Sequence, residues 1–335
     1  MKAIAITRDA KDGNNIDALQ DITLPKPVAQ GHDILVAVNA ISVNPVDTKV
    51  RSGFSGDAPR VLGWDAVGTV VEVGEAVTLF KPGDAVWYAG ALTRPGSNSE
   101  FQLVDERIAA FKPKSVENAA AAALPLTAIT AWEMLFDRLG IQENGSEEAV
   151  LLIVGAAGGV GSILTQLARR LTKATVIGTA SRPESQKWVS ELGAHHVIDH
   201  SQPLTEELQR IGVKHVTHVA SLTNTEQHYA QLIEALIPQG KFALIDDPAA
   251  LDVRALKAKS ISLHWEFMFT RSMFVTSDII EQHNLLTRVA ALIDQGVLST
   301  TLGEHYGTIN ADNLRRAHAL LETGRAVGKI VLEGF

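Results

Sequence analysis

Leu151-Leu152-Ile153-Val154-Gly155-Ala156-Ala157-Gly158-Gly159-Val160-Gly161 is the stretch whose reading decides the fold. Four apolar residues in a row suit a strand covered on both faces. Val160, Ile163, Leu164, Leu167 and Leu171 then recur at helical spacing and predict an amphipathic helix. Between strand and helix, Ala156, Gly158 and Gly161 stand at the three fixed positions of a G-x-G-x-x-G loop. Bare backbone there lets N–H groups approach a pyrophosphate, and the helix N-terminus adds the positive end of its dipole. A glycine-rich string alone fits many ligand-free turns; a buried strand before it and an amphipathic helix after it are the context that dinucleotide binding requires. Gly155, Ala156, Gly158, Gly159, Val160 and Gly161 are therefore the expected cofactor loop.

Outward from this loop, strands and helices alternate. Further strands are predicted at Ala174–Thr179, His195–Ile198, His218–Ser221, Lys241–Ile245 and Ser260–His264. The pattern is that of a doubly wound parallel sheet, an α/β Rossmann domain. Upstream, Asp33–Val38, Val67–Gly74 and Ala85–Tyr88 read as short strands broken by Gly and Pro, with Lys81-Pro82-Gly83-Asp84 as a turn. An alanine run, Ala119–Ala123, opens a helical stretch reaching Leu135. The tail after about residue 265 ends in the strand-like Gly328-Lys329-Ile330-Val331-Leu332. The expected division is 125–264 for the Rossmann domain, with 1–124 and 265–335 forming a β-rich domain and a cleft between the two holding the active site.

Which dinucleotide binds is read at the end of the second strand. An NAD enzyme usually places an acid there, about 20 residues past the loop, for the ribose 2′-hydroxyl. Ala180 occupies that position, and Ser181 and Arg182 follow it. A hydroxyl and a guanidinium suit a 2′-phosphate, which favours NADPH over NADH. Glu184 is the nearest acid, but it falls in the first turn of the next helix, where it complements the dipole.

Composition bounds the rest. The 335 residues are 46% hydrophobic and 20% charged, with 30 basic and 38 acidic side chains and a formal charge of −8. An acidic chain without a long basic run is a poor partner for nucleic acid or anionic lipid. No apolar stretch is expected to approach the roughly 18 residues of a membrane span, and the opening residues are too short for a signal peptide. A cytoplasmic protein is expected. The chain has no cysteine, which excludes disulfides, thiolate zinc sites and cysteine nucleophiles. Its eleven histidines are scattered; His196 and His200 lie on and after a strand, where a four-residue spacing does not converge on a metal.

Ser42-Val43-Asn44-Pro45-Val46-Asp47, Gly63-Trp64-Asp65-Ala66-Val67-Gly68, Phe80-Lys81-Pro82-Gly83-Asp84-Ala85-Val86, the glycine loop and the closing strand occur in that order. Across nearly the whole chain they resemble the medium-chain dehydrogenase/reductase superfamily, and within it the quinone oxidoreductase branch. Arg94-Pro95-Gly96-Ser97-Asn98-Ser99-Glu100-Phe101 and His264-Trp265-Glu266-Phe267-Met268-Phe269 resemble a bacterial subgroup called zinc-type alcohol dehydrogenase-like. The resemblance implies a GroES-like catalytic domain beside the Rossmann domain, NADPH-linked hydride transfer to a quinone or α,β-unsaturated carbonyl, and a homodimer paired through the 260–264 strand. It places Asn44 and Thr130 near the nicotinamide, His200 near the adenosine, and Ser221, Leu222, Thr223, Ile245 and Asp246 at strand ends facing the cofactor. Trp64 and Asp65 are candidates for the substrate pocket: the indole as an apolar wall or a packed core residue, the carboxylate as a partner within the site or a turn closer.

The zinc implied by the subgroup's name does not follow. The zinc-ligand positions correspond to Asn44, Trp64 and, by spacing before Thr130, Leu126: an amide, an indole and an isobutyl group. No zinc is expected. Other rivals fail by residue type. Tyr88, Tyr229 and Tyr306 are followed four positions on by Leu92, Ile233 and Asn310, not by the lysine of a short-chain reductase. Phe54 stands where an enoyl-thioester reductase would carry a tyrosine donor. An alcohol or aldehyde dehydrogenase of the same superfamily and a non-catalytic NADPH-binding sensor remain as alternatives.

Overall fold

The computed structural model describes residues 1–7, 16–145 and 148–335. The chain divides into two compact units, 1–129 with 269–335 and 130–268. In chain order the first unit begins with strands β1 Lys2–Ile6, β2 Leu19–Thr23, β3 Asp33–Val43, β4 Arg60–Val61, β5 Ala66–Val73, β6 Ala85–Tyr88, β7 Phe101–Asp105 and β8 Ala109–Phe111, with helix α1 Pro45–Ser52 between β3 and β4. Helices α2 Asn118–Ala122 and α3 Pro125–Trp132 follow, and a π-helical turn continues α3 through Arg138.

The second unit carries β9 Val150–Val154, α4 Gly159–Leu171, β10 Thr175–Thr179, α5 Pro183–Glu191, β11 His196–Ile198, α6 Leu204–Arg210, β12 Val216–Ser221, α7 Thr225–Ala235, β13 Leu236–Leu244 and β14 Ser262–Trp265. All its strands are parallel, in the order β11-β10-β9-β12-β13-β14. This is the doubly wound order, in which the chain reverses direction across the sheet beside the first strand, here between β9 and β12. Leu152, Val154, Ile177, Val219, Phe242 and Leu244 form its buried centre. That explains why β9 reads as an unbroken apolar run rather than an alternating one.

The chain then returns to the first unit with α8 Thr270–Phe274, α9 Glu281–Asp294, β15 Leu302–His305, α10 Ala311–Glu322 and β16 Lys329–Glu333. β16 pairs antiparallel with β3, so that Ile330 faces Val43 and Leu332 faces Ile41 across the ladder. The seven-stranded sheet runs β15-β16-β3-β5-β6-β8, with β7 on β3; β2-β1-β4 makes a smaller antiparallel sheet.

One expectation is corrected. The helical run Asn118–Arg138, 21 residues long, is long and apolar enough to cross a membrane. Its polar residues, among them Thr127, Thr130 and Glu133, are too few to break the run. However, 83% of its most apolar window is buried inside the protein, which is the behaviour of a core helix.

Candidate active site

In the first unit the site is built where β3 ends. Pro45 at the first helical position fixes φ and needs no N–H, so α1 starts immediately after Asn44. The Asp47 carboxylate accepts the Asn44 backbone N–H at 2.8 Å and closes the turn. Burial pushes Asp47 up to about 7. The Asn44 Nδ2 donates to Asp65 Oδ2 at 2.8 Å and to the Trp64 carbonyl at 3.3 Å. Its Oδ1 accepts from Lys329 Nζ at 2.5 Å.

Lys329 is the residue that sequence reasoning missed. It arrives on β16 and is 4% exposed. Its ammonium donates to the Val43 carbonyl at 2.7 Å, to Asn44 Oδ1 and to Asp65 Oδ2 at 3.2 Å. Three oxygens for three N–H bonds leave nothing over. Asp65 is correspondingly crowded with donors: Ser42 Oγ and Asn44 Nδ2 on Oδ2, each at 2.8 Å, and the Leu126 N–H on Oδ1 at 2.7 Å. Burial pushes the Asp65 carboxyl up and the Lys329 ammonium down. Each offsets the other, and the Lys329 ammonium, the Asn44 amide and the Leu126 N–H all donate to the carboxylate, so we assign an ion pair. Asp65 is thus the hub of a closed network rather than a turn closer.

Trp64 is fully buried in the first unit. Its Nε1 donates to the Ala91 carbonyl at 3.2 Å, and its ring meets Phe269 edge-on at 6.2 Å. This is the packed-core arrangement. The Arg94–Phe101 motif explains how the turn is held. Ser97 N–H donates to the Gly63 carbonyl and Asn98 N–H to the Leu62 carbonyl, each at 2.9 Å, and Ser97 Oγ donates to the Asp65 carbonyl at 3.1 Å. Gly96 lies so close that a Cβ would stand 2.2 Å from the Leu62 backbone. The second subgroup motif lies in the other unit up to Met268. Its Glu266 is buried, accepts Arg138 Nε at 2.9 Å, and is pushed up to about 9 by burial and by the neighbouring Glu133 carboxyl.

In the second unit the glycine loop joins β9 to α4. Gly155 takes φ +81°, and a Cβ there would stand 2.8 Å from Thr223 Cγ2. Gly161 presses against the loop, with a Cβ only 2.5 Å from the Ala156 Cα and the Gly155 carbonyl. Gly158 differs. Its φ is ordinary, and a Cβ would meet only the Gly155 carbonyl, at 3.5 Å. The protein itself does not require glycine at 158, so the surface above it is open to a ligand. The N–H groups of Gly159, Val160 and Gly161 head α4 and have no partner within the helix. This cradle fits a pyrophosphate.

Thr179, at the end of β10, ties the loop to His200. Its Oγ1 accepts the Gly155 N–H at 3.1 Å and lies 3.1 Å from His200 Nδ1. Burial holds the His200 pKa below the usual histidine value. Ala180 is buried, and Arg182 Nη1 pairs with Glu184 Oε1 at 2.9 Å. Ser221 and Thr225 share a hydroxyl contact of 2.7 Å, and Asp246 accepts the Thr225 N–H at 2.8 Å and its hydroxyl. Leu222 N–H reaches the Val154 carbonyl and Ile245 N–H the Ser221 carbonyl. Ser221, Leu222, Ile245 and Asp246 thus hold the ends of β12 and β13, and Thr223 stands over Gly155. Thr130 is a buried residue of α3.

The zinc positions do not fit a metal. The Asn44 oxygen is committed to an ammonium, the Trp64 nitrogen carries a hydrogen it donates, and Leu126 has no side-chain donor. Among the described residues no group of three or more His, Asp or Glu side chains could hold one.

Residues 30–113 match the alcohol dehydrogenase GroES-like domain, and residues 192–332 match the family described as zinc-binding dehydrogenase. A zinc-type alcohol dehydrogenase-like protein of Staphylococcus aureus (strain MRSA252) is 43% identical over 313 residues, 92% of each chain. A solved structure from Rhizobium etli CFN 42, described as a zinc-dependent alcohol dehydrogenase protein, is 54% identical with a TM-score of 0.96, over 100% of this chain and 98% of that one. Escherichia coli quinone oxidoreductase complexed with NADPH is 26% identical with a TM-score of 0.84, over 99% and 100%. With a Rossmann sheet, a GroES-like unit and no zinc-ligand set, the chain belongs to the zinc-type alcohol dehydrogenase-like and quinone oxidoreductase branch of the medium-chain dehydrogenase/reductase superfamily, a branch of NAD(P)H-dependent oxidoreductases.

Proposed function

We propose that the protein reduces quinones or α,β-unsaturated carbonyl compounds with NADPH and without zinc. The observation that carries this reading is the Lys329 ammonium on the Asn44 amide oxygen, the one side-chain oxygen among the three zinc-ligand positions. A carbonyl substrate at such a site has no metal ion to polarise it. Acceptors suited to that situation spread the incoming negative charge by conjugation, as quinones and enones do, and take their proton from water.

The bound nicotinamide supplies the hydride; the chain supplies orientation and exclusion of water. The loop 155–161 holds the pyrophosphate by backbone N–H groups, and Thr179 links that loop to His200. Ser181 and Arg182 are proposed to receive the 2′-phosphate, with Ala180 in place of the acid that would repel it. Asn44 and Thr130 are proposed to flank the nicotinamide. The relative solved with NADPH is itself a quinone oxidoreductase, which supports both halves of the reading.

The test is steady-state oxidation of NADPH and NADH with 1,4-benzoquinone, 9,10-phenanthrenequinone and a simple enone, against a simple aldehyde and alcohol. NADPH-linked reduction of the conjugated acceptors is expected. Turnover confined to the alcohol or aldehyde contradicts the substrate class, and tight NADPH binding without any turnover returns the sensor.

A further inference from the structure

The pair at the mouth of β10 bears on how the cofactor is chosen. Arg182 Nη1 lies 2.9 Å from Glu184 Oε1, with 30% of the arginine side chain and 60% of the glutamate side chain exposed. The backbone beneath the pair is fixed. Ala180 N–H donates to the Ile198 carbonyl at 3.0 Å, Gln186 Nε2 to the Ala180 carbonyl at 3.1 Å, and Ser185 Oγ to the Arg182 carbonyl at 2.8 Å. The turn therefore holds its shape beneath the pair. A carboxylate on the guanidinium occupies a donor that a phosphate would use, and its own negative charge faces the phosphate's.

We propose that Glu184 is a specificity-determining residue: it competes with the cofactor's 2′-phosphate for Arg182 and so holds down the preference for NADPH over NADH. This rests on the reading of Arg182 as the 2′-phosphate ligand. In the ligand-free protein Glu184 stands in for the phosphate. When NADPH binds, the guanidinium exchanges one anion for another, so only the difference between the two contacts adds to affinity. NADH has no 2′-phosphate and does not need Arg182, so its affinity is insensitive to the exchange. The acid thereby narrows the gap between the two cofactors and quickens release of the phosphorylated one.

The test is dissociation constants for NADPH and NADH, from cofactor fluorescence at low ionic strength, in the wild type, Glu184→Gln, Arg182→Ala and the double variant. Glutamine keeps the length and helix propensity of an exposed first-turn residue, so the fold is retained. Removing one partially screened carboxylate is expected to tighten NADPH by about 3- to 10-fold, with no gain for NADH and no gain in the Arg182→Ala background. Unchanged or weaker NADPH binding in Glu184→Gln, while Arg182→Ala loses NADPH, overturns the role of Glu184 and leaves the phosphate site standing. Equal tightening of both cofactors overturns it as well, since that is a general charge effect. NADPH binding indifferent to Arg182→Ala removes the phosphate-site reading and this inference together.

Discussion

A single buried ammonium ties together the network at the end of β3 in the first unit. Lys329 and Asp65 are buried, 264 residues apart in sequence, and each completes the hydrogen bonding of the other through Asn44. Removing one partner leaves the other charged and uncompensated in a dry interior. Lys329→Met is therefore expected to cost about 3–5 kcal/mol of stability, read from urea unfolding. The double variant Lys329→Met with Asp65→Asn is expected to cost less than the sum of the single changes. A loss below about 1 kcal/mol for Lys329→Met would mean that the pair is not coupled as the geometry requires. The sequence reading found Asn44, Trp64 and Asp65 but not Lys329. No local pattern links a lysine opening the last strand to a carboxylate near residue 65; only the β3–β16 pairing brings them together. The same limit applied to Trp64, whose two roles differ only in what surrounds the ring.

At the scale of the element, the β9–loop–α4 unit was the most legible part of the chain, because each of its features has a local cause. An apolar run, bare backbone and an amphipathic helix follow one another within 21 residues. What the sequence could not separate was why each glycine is there. Gly161 is forced by the protein: a Cβ would collide with backbone at 2.5 Å. Gly158 has room for one. Gly161→Ala is accordingly expected to lower the thermal midpoint by several degrees, as an overpacked backbone contact costing about 1–3 kcal/mol should. Gly158→Ala is expected to keep the midpoint and weaken NADPH binding, because its methyl group would intrude where we propose the pyrophosphate to lie. A Gly158→Ala protein that unfolds early but binds normally would reverse this assignment. The helical run 118–138 was misjudged at the same scale: alanine-rich helices read as modest in polarity, and only their burial distinguishes a core helix from a membrane span.

For the whole molecule, the parallel sheet ends at β14, whose outer edge has no neighbouring strand among the described residues. Trp265 is 54% exposed on that strand. An open edge carrying an exposed aromatic suits pairing with a second copy, and we propose a homodimer formed there. Sedimentation equilibrium is expected to give twice the chain mass, and Trp265→Glu to shift the population toward monomer; a monomeric wild type contradicts the proposal. The alternation of strands and helices announced the architecture from the sequence, whereas this edge became visible only from the strand order. The central claim is that hydride transfer here needs no zinc, and it is tested most directly by treating the purified protein with EDTA and following NADPH oxidation by 9,10-phenanthrenequinone as zinc is titrated back. Full activity after chelation, unchanged by added zinc, is the predicted result; activity that disappears on chelation and returns only with zinc would contradict it.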